Sequence, residues 1–320
     1  MKEIERNKLE NRIKNNDYSK TLDVALASGI YNNNYFDDYL KINYIEEKDF
    51  VKKINIFLEK KYSSDEINNI YLSFSKDNID KLLNNSYLNL SDFFGIKNFD
   101  ASNYSRYINW AKDKTINLET IVTYVNIGLD KDFYSSFDEV VQTDSYTILI
   151  NKYHRLPQSY EPKDLVSLSY DNKYKLRKTV ANAFEELTLA AKKDNHSIAP
   201  YSAYRSYETQ QRLYTNYVAK DGKELADTYS ARPGFSEHQT GLAVDITTIG
   251  LVGQLSEGDY NWISQNAYKY GFIIRYPEGK IDITGYMYED WHLRYVGIDV
   301  ATAMNNTNLT FDEYYDKYLK

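Results

Sequence analysis

Four histidines occur among the 320 residues, at positions 154, 196, 238 and 292, and two of them stand in unusual company. His238 belongs to Ser236-Glu237-His238-Gln239-Thr240-Gly241-Leu242-Ala243-Val244-Asp245-Ile246, where Gly241 reads as a bend and Leu242, Val244 and Ile246 then alternate with Ala243 and Asp245. One face of that strand is apolar and the other carries a carboxylate. Burying an aspartate there is costly unless a cation compensates it, and a metal ion is the strongest such partner. His292 belongs to Glu289-Asp290-Trp291-His292-Leu293-Arg294-Tyr295-Val296. Together His238, Asp245 and His292 would give one zinc ion two imidazoles and one carboxylate, leaving the fourth position for water as catalytic sites do. Glu289 is then the candidate general base, taking a proton from the attacking water and passing it to a leaving amine. On an ideal strand Glu289 and His292 would point to opposite faces, so Glu289 is expected on a turn before the strand, after Gly285-Tyr286. A lone histidine or aspartate on a strand is more often a core residue or an ion-pair partner, so the residues alone leave zinc and a buried salt bridge both open.

These side chains need a scaffold, and the chain supplies two kinds. Residues 1 to 150 hold no proline and three glycines, whereas residues 151 to 320 hold all five prolines and ten glycines. In the first part Phe50, Ile54, Phe57 and Leu58, then Ile67, Ile70, Tyr71 and Phe74, then Ile79, Leu82 and Leu83, then Leu118, Ile121, Val122 and Val125 keep helical spacing. Ser63 and Glu66 fit a capping box. The helices recur at roughly regular intervals without a fixed period, so an irregular helical spacer is the plainer reading than a repeat. In the second part Leu176, Val180, Phe184, Leu187 and Ala191 predict one helix, Leu213, Tyr214 and Tyr217 a second, and Ile263, Ala267 and Tyr270 a third that Gly271 ends. Strands are expected at Phe272 to Tyr276 and Trp291 to Val296. The fold class is therefore α+β: a C-terminal domain over 146–320 with a small antiparallel sheet and flanking helices, a mostly α-helical domain over 21–145, and a lead over 1–20.

A net charge of −7 with scattered Lys and Arg gives no basis for binding nucleic acid. The absence of cysteine excludes thiolate catalysis, disulfides and cysteine-based zinc sites. Abundant Asn, Asp and Lys lower the hydropathy, while 33 tyrosines and 13 phenylalanines leave ample core material. The first twenty residues carry mixed charges and no apolar run.

The pattern Ser-x-His-x-x-Gly-x-Ala-x-Asp from Ser236 to Asp245, with Glu-x-Trp-His from Glu289 to His292, resembles the VanY-type zinc D-alanyl-D-alanine carboxypeptidases, which share a fold with the VanX dipeptidases and the hedgehog signalling domain. Asn151-Lys152 with Leu156-Pro157, Tyr160 and Pro162, then Tyr204-Arg205-Ser206 with Gln210, and Gly271 to Pro277 extend the likeness over about 146–320. The resemblance implies His238, Asp245 and His292 as ligands of one catalytic Zn²⁺ and Glu289 as the base. It implies that Arg205 stabilises the oxyanion and that Ser236, Gln210 and Tyr276 hold the substrate's terminal carboxylate or the neighbouring amide. Asp290 stands where the family often has proline, and Ala203 where glycine is common. Arg294 is expected to orient a carboxylate or to form a simple salt bridge, and His154 and His196 to lie at the surface or in loops. The implied substrates are peptidoglycan stem pentapeptides, cut to release D-alanine. A D-Ala-D-Ala dipeptidase, an L,D-endopeptidase and a non-catalytic wall-binding module are the alternatives. Such a substrate implies an extracytoplasmic location in the cell envelope, with a membrane anchor upstream. The sequence leaves oligomeric state open.

Overall fold

In the computed structural model, which describes residues 19–84, 91–111, 115–141 and 144–320, each apolar stripe of the first half closes into a helix. The helices are α1 (Lys20–Ala27), α2 (Phe36–Lys41), α3 (Phe50–Glu59), α4 (Ser64–Ser73), α5 (Lys76–Asn84), α6 (Ser91–Phe94), α7 (Tyr104–Ala111) and α8 (Leu118–Asn126). Phe50, Ile54, Phe57 and Leu58 of α3 and Ile67 and Ile70 of α4 are buried in one core. The capping box forms: the Glu66 amide donates to Ser63 Oγ and the Ser63 amide to Glu66 Oε2 at 2.7 Å, satisfying two amides that α4 cannot bond internally.

One local arrangement occurs twice in this unit. The Asn32 amide donates to Tyr39 Oη at 3.2 Å, and the Asp100 amide donates to Tyr107 Oη at 3.2 Å. Asn32 and Asp100 each cap a short 3₁₀ turn with a side-chain oxygen, and both tyrosine rings are fully buried. Asn55 Nδ2 reaches back to the Ile30 carbonyl, and Asn98 Nδ2 bonds Thr123. The step from 32 to 100 also relates Tyr39 to Tyr107, Ile30 to Asn98, Asn55 to Thr123, and the start of α3 at Phe50 to that of α8 at Leu118. The amide–phenol bond and the turn cap recur, whereas the bond between the other equivalent pair runs in the opposite sense.

The compact units divide at Val125/Asn126, earlier than the expected boundary after 145. The cause is local pairing: β1 (Asp138–Glu139) lies parallel to β2 (His154–Arg155), and Tyr153 Oη donates to the Lys131 carbonyl. Most of the lead expected over 1–20 lies outside the described residues.

In the second unit β3 (Leu165–Leu168) and β4 (Asp171–Arg177) form a hairpin, which claims Leu176, so helix α9 runs only over Lys178–Lys193. The main sheet joins β5 (Ile198–Ser202), β6 (Ala243–Thr248), β7 (Phe272–Tyr276) and β8 (Glu289–Tyr295), all antiparallel, in the order β5-β6-β8-β7. Alternation sends Val244, Ile246, Leu293 and Phe272 into a core with Val180, Phe184 and Leu187 of α9. Asp245 and His292 are left on the opposite face, where the register sets them directly across from each other. A slip of one residue would turn both into the apolar core. Helices α10 (Tyr207–Asp221), α11 (Lys223–Tyr229) and α12 (Glu257–Asn266) complete the surroundings of the sheet. A 3₁₀ turn prolongs α12 to Gly271, which has φ +83°; a Cβ there would lie 2.6 Å from the Tyr295 ring.

Candidate active site

The Asp245 and His292 pair is completed from above by the 3₁₀ turn Glu237–Thr240, which delivers His238. Gly241 closes this turn at φ +67° and leads straight into β6, fixing the distance between His238 and Asp245 along the chain. Hydrogen bonds on both sides of Tyr204 hold the turn down: His238 Nδ1 donates to the Ala203 carbonyl at 2.7 Å, and the Arg205 amide donates to the His238 carbonyl at 3.2 Å. Ala203, where glycine was expected, thus contributes through its carbonyl, which the methyl group does not alter.

One ligand atom each from His238, Asp245 and His292, all buried, lie within 4.8 Å of one another. His238 Nε2 is 3.2 Å from Asp245 Oδ2, and His292 Nδ1 is 3.1 Å from Asp245 Oδ1. Close as they are, His238 Nε2 and Asp245 Oδ1 have no aligned hydrogen-bond partner among the described residues. With its proton committed to the Ala203 carbonyl through Nδ1, His238 presents a lone pair at Nε2 to a carboxylate. Two facing lone pairs need a cation between them. A proton serves poorly, because burial first and then the Arg205 charge lower the ring to about 4, outweighing Asp245. Buried imidazole and carboxylate donors without sulfur suit zinc, so the residues present fit the implied metal.

Glu289 lies within the strand as the first residue of β8, and no preceding turn is needed. Its carboxylate Oε2 stands 3.6 Å from His292 Nδ1. The parity problem is solved by a bulge: Ile274 pairs with Leu293, but Tyr276 pairs with Glu289, so β8 holds two extra residues and its alternation breaks. Asp290, in place of proline, falls in this bulge. Burial is the largest influence on Glu289 and, helped by the Asp245 charge against that of His292, raises its carboxyl to about 7.

Arg205 approaches from the loop before α10. Its Nη1 donates to Gln210 Oε1 at 2.9 Å and its Nη2 lies 3.4 Å from Asp245 Oδ2, while its Nε has no partner among the described residues. Gln210 is fully buried, and its Nε2 donates to the Ala231 carbonyl at 2.7 Å. Both ends of this amide therefore meet protein groups, so that it clamps Arg205 while also lining the cleft described next. Ser236 and Tyr276 are buried at the wall of an open cleft of about 710 Å³ that also meets Trp291, Tyr201, Tyr217 and Lys173. The Tyr276 ring lies 5.0 Å from that of His292.

Sequence reasoning missed the support behind His292. Glu237 Oε2 lies 3.4 Å from His292 Nε2, while its Oε1 accepts from Arg275 Nε at 2.8 Å and from Arg294 Nη1 at 2.6 Å. Arg275 continues to Asp312 Oδ2 at 2.7 Å, and Asn151 Nδ2 donates to Asp312 Oδ1. Arg294 thus combines both expected roles, a salt bridge and the orientation of a carboxylate. Burial alone would push the Glu237 carboxyl up, but the two guanidiniums hold it well below the usual carboxylate range. The signal in the sequence was a glutamate next to His238 and two arginines on neighbouring strands. His154 sits half-buried on β2, and His196 in a loop bonds Asp259 at 2.8 Å; neither joins the site.

Comparison with known proteins places this geometry. The family model for VanY, D-alanyl-D-alanine carboxypeptidase, matches residues 173–298. The Bacillus subtilis (strain 168) protein named "Putative carboxypeptidase YodJ" is 43% identical over 195 residues, covering 57% of this chain and 71% of its own. The structure of the LdcB LD-carboxypeptidase superposes with a TM-score of 0.52 at 42% identity, covering 57% of this chain and 90% of that one. VanYB in complex with D-alanine-D-alanine gives a TM-score of 0.50 at 36% identity, over 54% of this chain and 98% of that one. On these grounds the chain belongs to the VanY family, the D-alanyl-D-alanine carboxypeptidases.

Proposed function

We propose that this protein is a zinc-dependent D,D-carboxypeptidase that cleaves the terminal D-Ala-D-Ala bond of peptidoglycan stem pentapeptides and releases free D-alanine. The observation that carries the proposal is the convergence of buried, misaligned donors on His238, Asp245 and His292 beside Glu289 and Arg205. Bound to those three ligands, zinc would supply Lewis acidity to the attacking water and the scissile carbonyl. Glu289 takes the water proton on its carboxylate and hands it to the leaving nitrogen. Arg205, held by Gln210 and with Nε unpartnered among the described residues, donates to the oxyanion as it forms. Ser236 and Tyr276 stand where the wall can receive the terminal carboxylate. A cleft of about 710 Å³ is roomier than two alanines require, which favours a peptide stem over a free dipeptide. Such a substrate lies outside the cell membrane, so we place the protein there as well.

A second reading, an L,D-carboxypeptidase acting on tetrapeptide stems, is favoured by the likeness to LdcB. Purified protein incubated with pentapeptide and tetrapeptide stems, with chelator and after zinc restoration, separates the two. Chelator-sensitive D-alanine release from the pentapeptide supports the first reading. Release only from the tetrapeptide replaces it with the second, and release that survives exhaustive chelation refutes the zinc site.

A further inference from the structure

Behind the metal-ligand set lies a carboxylate with three buried donors around it, and its two oxygens face different partners. Glu237 Oε1 takes Arg275 Nε at 2.8 Å and Arg294 Nη1 at 2.6 Å, while Oε2 faces His292 Nε2 at 3.4 Å. Neither guanidinium can turn away. Arg294 Nη2 is fixed on the carbonyls of Ile148 and Tyr146 and its Nε on that of Tyr295. Arg275 Nη1 is fixed on Asp312. All three residues are essentially inaccessible to water, so no solvent molecule offers a substitute partner.

We propose that Glu237 is a positioning residue for His292: with one oxygen pinned by two arginines, its other oxygen keeps the ring proton on Nε2 and so leaves Nδ1 free to bind the metal. This rests on the zinc reading of the site. A histidine ring binds metal through a nitrogen without a proton, and which nitrogen that is follows from the hydrogen bond made by the other. Here Nδ1 is the nitrogen that faces Asp245, at 3.1 Å, so a proton held on Nδ1 would block the ligand set. The arginines make the arrangement directional. In Glu237→Gln, an isosteric change, the amide oxygen must stay with the two guanidiniums, because an NH₂ there would point donors at donors. The NH₂ then faces His292 Nε2 and donates to it, which drives the ring proton to Nδ1. One substitution that keeps shape should therefore reverse the tautomer.

The test uses the full chain, with ¹⁵N-detected imidazole spectra of the metal-free protein at about pH 10, above the value of about 9 to which, against burial, Asp245 and Glu237 raise the ring, so that it carries one proton, and zinc affinity measured by competition with a chromophoric chelator. Wild type should show a proton on His292 Nε2, and Glu237→Gln should show Nε2 bare and zinc bound about ten- to a hundredfold more weakly. The proposal is overturned by a wild-type His292 lacking the Nε2 proton, a measurement that stands even where the variant does not fold. It is overturned equally by Glu237→Gln keeping wild-type zinc affinity or keeping the Nε2 proton. A wild type that binds no zinc but carries the Nε2 proton instead sinks the zinc reading and leaves the tautomer assignment intact.

Discussion

Replacing Glu289 by glutamine should stabilise the metal-free protein by an amount that grows with pH. Burial, then the balance between His292 and the Asp245 charge, raises the Glu289 carboxyl from 4.5 to about 7. The sign follows from proton linkage. Below pH 4.5 the side chain is protonated in both folded and unfolded chains and the substitution is close to neutral. Between 4.5 and 7 the unfolded chain releases its proton before the folded one, so wild type loses stability as the pH rises. Above 7 the charged, buried carboxylate carries the whole penalty, on the order of 3 kcal/mol at about 1.4 kcal/mol per pH unit. Glutamine does not titrate, so urea unfolding of both proteins in chelator at pH 5, 6, 7 and 8 should show the difference opening in that window. An equal difference at pH 5 and pH 8 would refute the argument from burial. A variant less stable than wild type at pH 8 would mean that a specific partner holds the carboxylate. Reloaded with zinc, the same variant should lose roughly 10²- to 10⁴-fold in turnover, the usual worth of a positioned base.

Arg205→Ala should lower kcat by about 10²- to 10³-fold, as loss of an oxyanion donor does. Gln210→Ala, which removes the clamp on Nη1, should lower kcat about tenfold through misplacement of the same group, and steady-state kinetics showing a change in KM alone would return Gln210 to substrate binding. Gly241→Ala forces a side chain into φ +67° with its Cβ 3.0 Å from Leu165 Cδ2 and 3.3 Å from the Arg177 amide, so calorimetry should show a loss of about 1–3 kcal/mol, with zinc affinity reduced as His238 shifts. Ser63→Ala removes the α4 cap and should cost about 1 kcal/mol in denaturant unfolding of the first unit while D-alanine release stays at the wild-type rate.

The candidate ligands, which the structure brings together, were legible in the sequence because each stands in a local pattern whose chemistry is hard to explain otherwise: a carboxylate in an apolar strand, and a histidine in each of two short segments. The strand Phe272 to Tyr276 and the glycine that ends the helix before it were legible for the same reason, since alternation and a left-handed cap are properties of a few neighbouring residues. What escaped depends on contacts between distant segments. The bulge that brings Glu289 to His292 exists only in the pairing of β8 with β7. Leu176 fits the apolar stripe of α9, yet the β3–β4 hairpin takes it first. The duplication in the first unit is carried by Asn32 with Tyr39 and Asp100 with Tyr107, where the conserved element is a backbone amide meeting a phenol, and that leaves only a degenerate trace in side-chain types. Glu237 illustrates the limit most clearly. One residue from a candidate ligand in sequence, it meets another, 55 positions away, and its direction is set by arginines on two different strands. Local pattern identifies which atoms can bind a metal, whereas the packing of the strands decides which of those atoms is free of its proton.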